Sequence, residues 1–242
     1  MNLEILAKEF WKNGYLAIDG FFPSTLMDCV DREITDYFGA DPEYRHEGEF
    51  LSRSKTEVIP WFPQNPDLDD YSPSAAEVFD RLEAAAELAK LTEAVLGDDW
   101  LALYSMVMYS RKGTVGQAWH QDCPPEDDSR FNLNRLVYTR DISADDGGLV
   151  VVMPGSHRKG ALPTGEPHED LENQVVINPR KGMLVILHGH TWHRVLPVAS
   201  DYRFSINFRA CPRGTPADIT DVCVYRNMRY RFSSAEVIEE RA

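Results

Sequence analysis

The tetrapeptide Trp119-His120-Gln121-Asp122 is closed by Cys123-Pro124-Pro125. In an extended segment, residues two apart project to the same side, so the His120 imidazole and the Asp122 carboxylate converge on one point. That is metal-ligand geometry, although His-x-Asp also recurs by chance. A second segment, His188-Gly189-His190-Thr191-Trp192-His193, holds three of the seven histidines and reaches His193 71 residues beyond Asp122. Two imidazoles and one carboxylate on one face of an ion suit non-haem Fe(II) and leave positions for a chelating co-substrate and dioxygen. Zinc would favour a tetrahedral site with one open position.

Ten residues after His193 comes Arg203, in Asp201-Tyr202-Arg203-Phe204-Ser205-Ile206-Asn207-Phe208-Arg209. Alternation puts Arg203, Ser205 and Asn207 on one face and Phe204, Ile206 and Phe208 on the other. An arginine on an inward polar face needs an anion, and a carboxylate matches its planar fork.

These residues need a scaffold to bring them together. Leu3, Leu6, Ala7 and Phe10 recur at helical spacing before Gly14, which supplies a stop. Tyr15 to Ile18 reads as a short strand, and Ser24 as the cap of a helix with Leu26, Val30, Ile34 and Phe38 on one side. Between residues 41 and 73 periodicity gives way to scattered prolines and aromatics, the pattern expected of a lid over a pocket. A third helix is expected from Ala75 to Leu96, ending at Gly97. Afterwards come short β-like runs: Trp100–Tyr109, Leu133–Tyr138, Leu149–Met153, Gln174–Ile177, Met183–Leu187, Arg203–Arg209 and Val222–Tyr225. Helices first and strands afterwards make an α+β, mainly β chain, a sandwich or small barrel rather than a doubly wound sheet.

The chain has 242 residues, enough for one domain that buries about 73% of its unfolded surface without staples. Residues 1–98 would form the helical support and lid, and 99–225 the β core. With 25 Lys and Arg against 39 Asp and Glu, a net charge of −14 lacks the field that nucleic acid requires. An anionic substrate would need basic residues inside a pocket. The four cysteines show no zinc or thioredoxin spacing, and reduced thiols are expected. No apolar run approaches a membrane span and the N-terminus lacks a signal-peptide core, so a cytoplasmic protein without a membrane partner is expected.

Taken together, the residues resemble the phytanoyl-CoA dioxygenase-like Fe(II)/2-oxoglutarate oxygenases. The resemblance is carried by Glu9 to Tyr15 leading into Asp19-Gly20-Phe21-Phe22, by Trp119-His120-Gln121-Asp122, by the loop Asp146-Gly147-Gly148 to Pro154-Gly155-Ser156-His157, and by His193 with Arg203. It implies a double-stranded β-helix, a cupin-like jelly roll with N-terminal helices packed on one sheet. It makes His120, Asp122 and His193 the iron ligands and Arg203 the partner of the distal 2-oxoglutarate carboxylate. Ser205 and Gln117 become further co-substrate contacts, and Tyr104, Tyr109 and Asn134 sources of a hydrogen bond from the barrel wall. His188 and His190 stand farther from Arg203 than the family spacing. His157 fits a Pro-Gly turn, and His46 and His168 fit surface loops.

The activity implied is oxidation of a small-molecule metabolite or natural-product intermediate, with dioxygen consumed and 2-oxoglutarate converted to succinate and CO2. The carboxylate of Asp122 stands where halogenating relatives carry a small residue, which favours hydroxylation. The rival is a cupin-like dioxygenase or isomerase that does not use 2-oxoglutarate, a site with no need of Arg203. Monomer and homodimer are both compatible with the sequence.

Overall fold

The computed structural model describes residues 1–38, 81–124, 126–166 and 168–215. The expected lid over 41–73, His46, the start of the third helix and the strand at 222–225 lie outside the described residues. So do the side chains of Tyr104 and Tyr109.

Helix α1 (Leu3–Asn13) begins where the Asn2 side chain accepts the Ile5 amide hydrogen and ends at Gly14, which takes a left-handed φ of 78°. That reversal feeds the chain directly into strand β1 (Tyr15–Ile18). Helix α2 (Ser24–Phe38) buries Met27, Val30 and Ile34, and helix α3 (Ala86–Leu96) buries Leu88, Leu91 and Val95.

The remaining strands are β2 (Leu101–Arg111), β3 (Gln117–His120), β4 (Leu133–Val137), β5 (Val150–Val152), β6 (Val175–Ile177), β7 (Leu184–His188), β8 (His193–Val195) and β9 (Tyr202–Cys211). They form two antiparallel sheets, ordered β1-β7-β4-β9-β2 and β3-β8-β5-β6. Alternation gives the larger sheet two jobs. Leu184, Ile186, Ile206 and Phe208 join the helix residues Phe10, Met27, Val30, Ile34, Leu88 and Leu91 in one apolar cluster. Leu136, Val185 and Leu187 point the other way and meet Val150, Val152, Ile177 and Val195 of the smaller sheet. This is the expected double-stranded β-helix with helices packed against one sheet. Among the described residues, no helix is long and apolar enough to cross a membrane.

The third helix differs from expectation. Residues 81–83 are helical, the helix breaks at Ala84-Ala85, and α3 starts afresh at Ala86. Alanine favours helix, so the break comes from tertiary contacts rather than from local propensity. Leu82 is fully buried, and Glu83 pairs at 2.9 Å with Arg135 of β4. Arg135 is itself fully buried: it donates to the Phe208 carbonyl at 2.9 Å and to Thr92 Oγ1 at 3.3 Å, and its guanidinium lies 5.0 Å from the Trp100 ring centroid. Burial lowers its pKa to about 10, and the Glu83 carboxylate opposes that loss.

Removing one partner of a buried pair costs about 3–5 kcal/mol, whereas replacing both with apolar groups is often near neutral. Glu83→Ala is therefore expected to lower the urea midpoint strongly, and Glu83→Ala with Arg135→Met to recover much of the loss. Equal midpoints for the single variant and the parent would dismiss the pair as a structural tie.

Candidate metal centre

Strand β3 pairs with β8 so that His120 lies opposite His193, and the two ring centroids are 4.0 Å apart. Asp122 follows just past the end of β3. Its amide and that of Cys123 both donate to the Gly189 carbonyl, at 2.8 and 3.2 Å, which ties the carboxylate to the turn leading into β8. A side chain at Gly189 would run into Cys123 Sγ and Asn132 Oδ1, so the close approach depends on glycine.

The hydrogen bonds decide which nitrogen each imidazole offers. His120 Nδ1 lies 2.8 Å from the Ala118 carbonyl, and His193 Nδ1 lies 2.8 Å from the Thr191 carbonyl. A carbonyl only accepts, so Nδ1 carries the proton and Nε2 presents its lone pair. Those Nε2 atoms stand 3.7 and 3.8 Å from the two oxygens of Asp122, and the three residues offer ligand atoms within 4.8 Å of one another.

Electrostatics keep the donors deprotonated. Burial alone would raise the Asp122 pKa. The Arg209 guanidinium, at 3.4 Å from Oδ2, outweighs it together with both imidazoles and the Asn134 amide, and the carboxyl is held at about 2. Burial and the neighbouring His193 lower His120 to about 3. Asn134 Nδ2 donates to Asp122 Oδ2 at 2.6 Å, while Oδ1 is buried without a hydrogen bond. A buried carboxylate oxygen left unanswered beside two imidazole nitrogens fits a divalent metal ion.

The three donors line one end of a cleft between the sheets. Gln117, Asn134, Arg203, Ser205, Asn207 and Arg209 also face this cleft. Arg203 belongs to its other end, six residues from Arg209, or about 20 Å of strand. Its stem lies against Gly148, where a Cβ would meet Arg203 Cγ at 3.0 Å and the backbone takes a φ of 68°, so glycine is required twice over. The guanidinium stands over the Tyr138 ring at 5.9 Å. Arg203 Nε and Ser205 Oγ are buried without hydrogen-bond partners, two donors ready for an anion.

The other sequence candidates fall out as follows. Asn134 faces the cleft but gives its amide to Asp122, and its own Oδ1 accepts from Asn207 Nδ2 at 2.8 Å. Tyr109 pairs through its backbone with Phe204. His188 stacks on Phe131 at 4.2 Å and accepts the His190 amide hydrogen on Nδ1 at 3.1 Å. His157 sits on the turn after Pro154-Gly155, where the Ser156 amide donates back to the Met153 carbonyl, and its Nε2 lies 3.1 Å from the Trp11 carbonyl. Burial lowers the pKa of all three; His157 and His188 pack against α1, and His190 Nε2 lies 2.9 Å from the Arg130 carbonyl. His168 is exposed. Arg209 went unnoticed in the sequence although a signal existed: the alternation of Arg203, Ser205 and Asn207 continues onto it.

Two buried histidines and one buried carboxylate that could hold a metal ion thus sit between the two sheets of a double-stranded β-helix. The chain belongs to the phytanoyl-CoA dioxygenase (PhyH) family, which it matches over residues 10–203. No curated protein sequence gives a significant match. Several solved structures share the fold. The non-heme alpha ketoglutarate dependent epimerase SnoN from nogalamycin biosynthesis is 18% identical, with a TM-score of 0.65 over 91% of this chain and 89% of its own. HygX from Streptomyces hygroscopicus, with nickel and 2-oxoglutarate bound, is 17% identical, with a TM-score of 0.65 over 88% of each chain. The non-heme monooxygenase ThoJ is 19% identical, with a TM-score of 0.61 over 86% of this chain and 77% of its own.

Groups that orient a ligand from behind typically govern metal affinity by 10–100-fold. Asn134→Ala is expected to weaken Co(II) binding by about that factor in equilibrium dialysis, with the fold retained by circular dichroism. Unchanged affinity would show that Asp122 does not need the amide to hold its orientation.

Proposed function

We propose that this protein is an Fe(II)- and 2-oxoglutarate-dependent oxygenase that hydroxylates a small molecule. The observation that carries the reading is the pairing, within one cleft, of a three-donor metal centre with a buried arginine at the other end. His120 and His193 would bind iron through Nε2, and Asp122 through its carboxylate. Arg203 would receive the distal carboxylate of 2-oxoglutarate, with the Ser205 hydroxyl beside it and Gln117 on the adjacent wall. When bound, iron and co-substrate would supply the oxidation: dioxygen is consumed, 2-oxoglutarate leaves as succinate and CO2, and a C–H bond of the second substrate is oxidised.

This chain's own contribution is placement and exclusion. Leu136, Val150, Leu187 and Val195 wall the cleft with apolar surface that keeps bulk water from the reacting centre. Asn134 and Arg209 both address Asp122 Oδ2, which leaves Oδ1 as the oxygen that would be available to a metal. A carboxylate at this position leaves no small-residue gap for a halide, which supports hydroxylation over halogenation. One solved relative is an epimerase, so related oxidations start from a similar fold. A metal enzyme that dispenses with 2-oxoglutarate would leave Arg203 and Ser205 without a ligand, and their open donors weigh against it.

Anaerobic addition of Fe(II) and 2-oxoglutarate is expected to produce the weak visible charge-transfer band of a chelated keto acid. Asp122→Ala and His193→Ala should abolish it. Arg203→Ala should raise the 2-oxoglutarate requirement by roughly ten- to hundredfold while iron binding persists, because a hydrogen bond to a charged group contributes about 1.5–3 kcal/mol. Absence of the band from the unaltered protein would sink the reading. Succinate release across amines, amino acids, acyl carriers and secondary metabolites would then identify the second substrate.

A further inference from the structure

Tyr138 directly follows β4, and the alternation that turns Asn134 and Leu136 to the cleft carries its side chain onto the same inner face. The residue is fully buried, and its ring belongs to the apolar cluster of Leu136, Val150, Ile177 and Met183 between the sheets. The last pair joining β4 to β9 is Val137 with Ile206, so one further step brings Tyr138 abreast of Ser205, with Arg203 on the diagonal.

Three donors gather there. Arg203 Nε, Ser205 Oγ and Tyr138 Oη are buried, and none has a hydrogen-bond partner among the described residues. The guanidinium stands 5.9 Å from the Tyr138 ring centroid and opposes the rise in the phenol pKa that burial causes. A guanidinium only donates, however, so Arg203 offers the phenol proton no acceptor. The serine hydroxyl can rotate, whereas the phenol oxygen is held where the packed ring puts it. A buried donor without an acceptor destabilises the fold, and such a group persists where a ligand uses it. A carboxylate presents about four lone-pair sites: a guanidinium fork takes two and two hydroxyls take the others.

We propose that Tyr138 is a specificity-determining residue for the co-substrate. Its hydroxyl, with Arg203 and Ser205, completes a seat for the distal carboxylate and favours dicarboxylic keto acids over those with an uncharged tail. The inference rests on the co-substrate reading above and adds to it a donor from β4, on the strand beside the one that carries Arg203 and Ser205.

The test is Tyr138→Phe, which removes the oxygen and keeps the ring. Without ligand, the variant should melt at the same temperature as the parent or higher, because an unpaired buried hydroxyl is lost. With Fe(II) under anaerobic conditions, half-saturation of the charge-transfer band should need about tenfold more 2-oxoglutarate, the low end for a bond to a charged acceptor because Arg203 and Ser205 remain. Titration with 2-oxopentanoate, which lacks the distal carboxylate, should be alike in both proteins. Glutarate binding to the metal-free protein, followed by calorimetry, should weaken by about the same factor as 2-oxoglutarate. A lower melting temperature, or equal losses for the two keto acids, would overturn the proposal by giving the hydroxyl a structural role. An unchanged 2-oxoglutarate requirement would overturn it by assigning the hydroxyl to an internal water. If the unaltered protein forms no band but binds glutarate more tightly than Tyr138→Phe does, the iron reading fails and the carboxylate seat stands. If it neither forms the band nor binds glutarate, both fall.

Discussion

An ionised carboxylate buried between two sheets is the constraint on which the site depends. Asp122 is 4% exposed, and a charge so far from water persists only with compensating partners. Those partners form a connected chain. Asn134 and Arg209 address one carboxylate oxygen, Asn207 holds Asn134, and the Asn207 side-chain carbonyl accepts the Arg135 amide hydrogen at 3.2 Å. Arg135 then reaches through the sheet to Glu83 and Thr92 in the helical layer. The Asp122 carboxylate is thus oriented by contacts that end on the opposite face of the larger sheet. The helices do more than cover an apolar surface.

The turn between β7 and β8 is the second support. It contains His188 to Trp192, and nearly every polar group in it has an assigned task. The Gly189 carbonyl receives the Asp122 and Cys123 amides, the His190 carbonyl receives Gln121 Nε2, and the Thr191 carbonyl sets the His193 tautomer. Thr191 Oγ1 donates to the Gly14 carbonyl at 2.9 Å, and the His188 amide donates to the same carbonyl. The helix stop at Gly14 therefore has a second purpose: it presents a carbonyl that anchors the turn leading to His193. Three histidines in six residues look alike in the sequence, but only His193 stands opposite His120, while His188 packs beneath α1 and His190 turns to the Arg130 carbonyl.

Features that depend on local chemistry were legible in the sequence. The alternation in β9 separates a polar inward face from an apolar outward one, and helices α1 and α2 follow from the spacing of their apolar residues, with Gly14 ending α1; Ser24 is the first residue of α2 rather than its cap. The His-x-Asp pair and the Pro-Gly turn were readable for the same reason. Features decided by distant partners were not. Strands β3 and β8 are short and acquire strand character from each other, across more than seventy residues. The break at Ala84-Ala85 answers to Arg135, about fifty residues away, and no property of an alanine run announces it. Arg209 is the instructive omission, because its alternation was visible while its meaning required knowing that Asp122 lies beside it.

The charge of the whole chain and the charge of the cleft point in opposite directions. A net charge of −14 describes a surface, and at physiological ionic strength its field decays over about 8 Å of solvent. Inside the cleft the relevant charges are few, close and shielded from salt, so a single guanidinium outweighs many distant carboxylates. An acidic exterior would slow the arrival of an anion without preventing its capture, since approach is governed by the long-range field and residence by short contacts. Substrate charge in such a protein follows from the side chains that face the cavity, and there the described residues carry more positive charge than negative.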